Sequence, residues 1–170
     1  LEWTVIESFK NNNKLREVAT FPWLLGQVQS TNANEVTFAC HAKGATREGN
    51  AITTQWSEMM YRVCLDDWFT VHRTLERFSM AGAFRRYQQF RMGNDWDYSG
   101  TFYWFRNDDL FRKQWKQIDK FFAGTETYPA KHFTLAETAC LFSDETGDLY
   151  HQDVWDKLQR EIDIWEVARR

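Results

Sequence analysis

Three short stretches of this chain carry residue types that do chemistry. The first is His41-Ala-Lys-Gly44, directly after a run of strand formers. In open α/β sheets ligands bind beyond the carboxyl ends of the strands. A lysine there, Lys43, holds a phosphate or carboxylate as a point charge. Gly44 lets backbone approach a ligand closely, and His41 can hydrogen-bond or shuttle a proton. The spacing is neither a Walker loop nor a GxGxxG fingerprint, so a solvated surface loop is the alternative reading. The second stretch is Asn94-Asp-Trp-Asp-Tyr-Ser-Gly100. Asp95 and Asp97, two residues apart, can share a divalent cation that neutralises a diphosphate leaving group. Ser99 and Gly100 add a small, open backbone beside them. The third is Glu137, a lone carboxylate in the apolar run Leu135 to Phe142. It is a solvent-facing residue, a partner for a basic side chain, or a site carboxylate whose burial would raise its pKa for general-base work.

These residues must be held by regular elements. Leu1 to Phe9 reads as a strand ended by Asn11-Asn12-Asn13. Helical spacing follows from about Thr20, with Pro22 in the first turn. Glu35 to Cys40 is a second strand. A long helical stretch runs from about Thr53 to Phe78, with Asp66-Asp67 as its breaking point. Met80 to Phe84 reads as a short strand, and Arg85 to Asp97 as a polar loop whose Arg85, Arg86 and Arg91 either meet anionic groups or, the favoured reading, are solvated. Tyr98 to Phe105 is a strong strand on which Tyr103 and Trp104 face opposite ways. Helices are expected over about Asp109 to Phe122 and His132 to Phe142, with a loop at 123–129. A last helix begins near Gln152 with the stripe Trp155, Leu158, Ile162, Trp165. Alternating strands and helices predict an α/β fold: a mostly parallel sheet flanked by helices. Residues 1–150 would form that domain, and 151–170 an amphipathic helix packed on it.

Composition narrows the class. The chain has 170 residues, with 21 basic and 24 acidic side chains and a formal net charge of −3. Such a balance argues against phosphate neutralisation along a nucleic acid. No run approaches the ~18 apolar residues of a membrane span. Cys40, Cys64 and Cys140 are odd in number and widely spaced, which points away from disulfides and zinc and toward a reducing cytoplasm. Aromatic residues make up 17 %. Large rings fill cores, and they also make faces for sugars and other flat, half-apolar ligands.

The three stretches occur in the same order in a known family. The matching pieces are Val36-Thr-Phe-Ala-Cys-His-Ala-Lys-Gly44, Gln55-Trp-Ser-Glu-Met-Met-Tyr61, Asp97-Tyr-Ser-Gly-Thr-Phe-Tyr-Trp-Phe105 and Ala136-Glu-Thr-Ala-Cys140. Over about Asn13 to Phe142 the chain resembles the carboxyl-terminal part of GT-A-like glycosyltransferases from polysaccharide gene clusters. It departs from their pattern at Ala42, where the family has Thr, at Asp97, where it has His, and at Thr101, where it has Asn.

The resemblance implies a sugar nucleotide donor and a saccharide acceptor. It implies that Lys43 faces the diphosphate, with His41 and Gly44 shaping that wall. Ser99, Gly100 and Trp104 would line the floor, with Trp104 offering a stacking face. Asp95 and Asp97 would hold Mn²⁺ or Mg²⁺, or orient donor hydroxyls, and Glu137 would deprotonate the acceptor in an inverting transfer. GT-A folds hold much of the nucleotide on amino-terminal βαβ units, so the chain is expected to be a fragment or a reduced relative. The missing amino-terminal units and the departures at Asp97 and Thr101 favour a second reading, a non-catalytic carbohydrate-binding or interaction module. A different nucleotide-using α/β enzyme is a third.

Overall fold

The computed structural model describes residues 12–42, 49–89, 94–144 and 147–169; the strand expected at Leu1 to Phe9 lies outside them. Five strands form one sheet: β1 (Val36–Cys40), β2 (Met80–Gln89), β3 (Asn94–Tyr98), β4 (Phe102–Arg106) and β5 (Thr138–Asp144). The sheet is mixed, so the expectation of mostly parallel pairing is corrected. β1 pairs with β4, and β2 with β3 and with β4, all antiparallel; only β5 joins β2 in parallel. The reason lies in the links. Parallel neighbours need a crossover of about a dozen residues or more. β2, β3 and β4 follow one another too closely for that, whereas the long excursion between β4 and β5 allows it.

β3 and β4 lie end to end along the same edge of β2. Tyr98 stands opposite Arg85 and Tyr103 opposite Gly82, so this edge carries two more residues than β2 does there. The excess is expelled as the turn Ser99–Thr101. Gly100 takes φ 93°, and a Cβ there would sit 2.8 Å from Met60 Sδ, so this turn needs glycine. Thr101 takes φ 49°, a left-handed conformation that is an outlier for a β-branched residue.

Helices cover both faces. α1 (Phe21–Gln27), α4 (Asn107–Phe111) and α5 (Gly124–His132) enclose a core with Phe21, Tyr98, Tyr103, Phe105 and Tyr128. α2 (Ala51–Tyr61) and α6 (Gln152–Val167) enclose the other, with Trp56, Met60, Phe84, Phe102 and Trp155. α3 (Trp68–Leu75) buries Val71 and Leu75 against Ala81. The alternation of β4 explains the split, since Tyr103 and Phe105 point one way and Phe102 and Trp104 the other. The expected break at Asp66-Asp67 is present: a π-helical turn, Arg62–Asp66, separates α2 from α3. Asp67 then caps α3, accepting from the Thr70 amide at 3.2 Å. α6 buries Trp155, Leu158 and Ile162, as its stripe predicts.

Two expected helices are corrected. The helix expected over Asp109 to Phe122 stops at Phe111, and α5 forms in the expected loop instead, with Pro129 inside it. Leu135 to Glu137 is a 3-10 turn, and the rest of the apolar run is β5. Among the described residues, no helix is long and apolar enough to cross a membrane.

Candidate functional site

Cys40 pairs with Phe102, which brings the end of β1 beside the Ser99–Thr101 turn. His41 follows directly, and a polar chain ties the two segments together. His41 Nδ1 lies 2.9 Å from Glu17 Oε1. The same oxygen accepts from the Thr125 hydroxyl at 3.2 Å, and Thr125 Oγ1 is 3.0 Å from Thr101 Oγ1. A hydroxyl has one proton, so if Thr125 donates to Glu17 it accepts from Thr101. Tyr103 anchors the chain by donating to the Thr125 carbonyl at 3.0 Å. Burial pushes the Glu17 carboxyl up, but its hydrogen bonds, led by the one with His41, outweigh this and hold it below its ordinary value.

A second polar group adjoins it through α5. The Asp97 side chain is fully buried. Its Oδ1 accepts from Arg86 Nε at 2.9 Å, and Arg86 Nη2 reaches Glu126 Oε2 at 3.1 Å. One guanidinium thus serves two carboxylates. Burial raises the Asp97 pKa to about 6; Arg86 opposes the rise and Glu126 adds to it.

Three buried polar atoms in this region have no hydrogen-bond partner among the described residues: His41 Nε2, Asp97 Oδ2 and Ser99 Oγ. Buried polar groups are overwhelmingly paired, so each of these three atoms is a point where water or a polar ligand atom would be accommodated.

Lys43 and Gly44 lie outside the described residues. Gly100 is in the turn, packed against Met60. Asp95 is exposed while Asp97 is buried and neutralised by Arg86 at 2.8 Å. A divalent cation on Asp97 would sit against that guanidinium, so the pair does not fit Mn²⁺ or Mg²⁺. Trp104 does not line the floor. Its ring lies on the opposite sheet face from Tyr103, stacks on Phe38 at 4.9 Å, and donates through Nε1 to the Cys64 carbonyl at 2.8 Å.

Glu137 is the largest displacement. β5 opens opposite Met80, whereas Asp97 stands opposite Arg86, six residues farther along β2. That is about 20 Å of strand. Glu137 Oε2 accepts from the Thr134 amide at 2.7 Å and hydroxyl at 2.9 Å, closing a capping box, and Oε1 accepts from Lys113 at 2.8 Å. Burial acts to raise its pKa, yet these bonds, led by Lys113, hold it below the ordinary value. Of its three possible roles, Glu137 takes that of a partner for a basic side chain.

Sequence reasoning missed Arg86, Glu17, Thr125 and Glu126. Arg86 was expected in a solvated loop but lies within β2, and nothing local in the sequence links the other three to Asp97. The Thr134-x-x-Glu137 spacing did carry a capping signal. No family model, curated protein or solved structure matches this chain.

Proposed function

We propose that this chain is the carboxyl-terminal part of a glycosyltransferase that moves a sugar from a nucleotide-sugar donor to a saccharide acceptor. The observation that carries the reading is the convergence of the β1 end and the Asp97–Thr101 segment on one region with three unsatisfied buried polar atoms. A polyhydroxylated ligand supplies donors and acceptors of the kind these atoms lack. In this reading Ser99 and His41 Nε2 hold sugar hydroxyls, and Asp97 replaces Glu137 as the proton acceptor. With Oδ1 fixed by Arg86, Oδ2 receives the proton of the attacking hydroxyl, and a carboxyl titrating at about 6 is suited to that task. Charge on the departing diphosphate falls to Lys43, as the resemblance implies, without a metal ion.

The test is donor hydrolysis and transfer with a panel of uridine and guanosine diphosphate sugars, with and without EDTA. The expected result is turnover that survives EDTA and falls about 100-fold or more in Asp97→Asn. Turnover unchanged in Asp97→Asn would remove that residue's role. The absence of both binding and turnover with every donor would overturn the reading.

The second reading, a non-catalytic carbohydrate-binding module, is favoured by the locking of Glu137 onto Lys113 and Thr134. Free glycans that stabilise the chain where nucleotide sugars do not would select it.

A further inference from the structure

A cleft opens at the opposite end of the β1–β4 pair from His41. It has a volume of about 470 Å³, within the ordinary range for small-molecule pockets. One wall is α3 and the turn after it, where Trp68, His72 and Glu76 recur at four-residue spacing and so share a face. The other wall is the paired residues Val36 and Arg106. Leu75, buried, closes the floor.

Trp68 is the unusual member. It is 44 % exposed, although most tryptophans of the chain are buried or half-buried. Its orientation is nevertheless fixed. The ring leans on Trp104 at 5.1 Å, Trp104 stacks on Phe38 at 4.9 Å, and the Trp104 indole is pinned to the Cys64 carbonyl. The edge of His72 meets Trp68 at 6.1 Å. The result is a rigid aromatic platform with part of its surface in solvent.

The rim is polar, and its cation is already engaged. Arg106 lies 3.2 Å from Asp109 and 3.5 Å from Asp108, and Glu76 lies 3.6 Å from His72. Asn34 adds an exposed amide side chain. Donors and acceptors of both kinds, an arginine already held by carboxylates and a fixed indole face suit a neutral polyol. The apolar C–H face of such a ligand covers the ring while its hydroxyls reach the rim. An anionic ligand would meet the Glu76 carboxylate and compete with Asp108 and Asp109 for Arg106.

We propose that the Trp68 cleft is a binding site for a short neutral saccharide, separate from the Asp97 region. The proposal does not depend on donor chemistry at that region. The test uses protein labelled with ¹⁵N at tryptophan, with the Trp68 indole signal assigned by its loss in Trp68→Phe. Maltohexaose, cellohexaose, laminarihexaose and chitohexaose are titrated in turn, and affinities are measured by calorimetry.

The expected result is a saturable shift of the Trp68 signal with at least one of them. Affinity for that saccharide should drop at least tenfold in Trp68→Ala and severalfold in Glu76→Gln. The second variant alters an exposed side chain and keeps the test valid if Trp68→Ala folds poorly. No shift with any of the four, or equal affinity in both variants, would overturn the proposal, as would a shift produced only by a nucleotide sugar. Loss of donor binding in Asp97→Asn with the Trp68 titration intact would separate the two sites.

Discussion

Asp97 and Glu137 are both candidate site carboxylates in the sequence, yet the fold gives them opposite environments. Asp97 is fully buried and shares one guanidinium with Glu126, and its second oxygen has no partner. Glu137 is partly exposed, and both its oxygens are occupied by Lys113 and the Thr134 cap. Burial wins at Asp97 and raises its pKa; hydrogen bonding wins at Glu137 and lowers it. The comparison separates a poised group from a structural one. Strain follows the same division, since the left-handed Thr101 adjoins Asp97, whereas Glu137 closes a fully satisfied turn.

The largest effect should come from removing the shared cation. Arg86→Met leaves Asp97 and Glu126 without their counter-charge in a buried setting, and the cost should be about 3–5 kcal/mol. Urea unfolding at neutral pH measures it. The loss should shrink in acid as Asp97 takes up a proton; a loss below about 1 kcal/mol would mean that water already screens the pair.

The next test sets the two carboxylates against each other by pH. Asp97 titrates at about 6 in the folded chain against 3.8 ordinarily, so the folded state binds the proton more tightly. Stability is therefore highest below the unfolded value and falls as pH rises between about 4 and 6, by roughly 3 kcal/mol in total. Glu137 has the opposite sign: its contribution is present above its unfolded pKa of 4.5 and is lost as pH falls through the lower folded value. Asp97→Asn should flatten the neutral-side decline, and Glu137→Gln should flatten the acid-side one. Identical pH curves for the two variants would dissolve the contrast. At neutral pH Glu137→Ala should cost only about 1 kcal/mol, the size of a cap plus a partly exposed ion pair.

The same contrast explains what the sequence could reveal. α6 was legible because Trp155, Leu158 and Ile162 repeat at helical period along a helix packed on one side. The break after Asp66 was legible because Asp67 is a strong cap. The convergence of His41 with the aromatic Ser-Gly segment came from motif alone: parallel strands would have put the end of β1 and the start of β4 at opposite ends, and it is the antiparallel pairing of Cys40 with Phe102 that joins them. Arg86 reaches Asp97 from 11 residues away, and Glu126 reaches the same guanidinium from 40 residues away, through packing that no local pattern encodes. β5 was hidden because Thr138 to Phe142 suits helix and strand alike, and its fate is decided by parallel pairing with distant β2. α5 was hidden because Gly124 and Pro129 read as loop. Gly124 is required by contact, since a Cβ there would lie 2.1 Å from the Asp119 carbonyl.

The smallest expected effect probes the strained turn. Thr101 accepts a left-handed backbone while its hydroxyl bonds Thr125 at 3.0 Å. Asparagine tolerates that conformation better, so Thr101→Asn should gain about 1 kcal/mol of relieved strain and lose about as much with the hydrogen bond. Net stability should stay within about 0.5 kcal/mol of the parent. In a Thr125→Val background the hydrogen bond is already gone, and there the same change should stabilise by about 1 kcal/mol. A double-mutant cycle by chemical denaturation reads the difference directly. A loss of about 1 kcal/mol in the parent with no gain in the Thr125→Val background would mean that the turn stores no strain, and the division between a poised region at Asp97 and a relaxed one at Glu137 would then rest on charge alone.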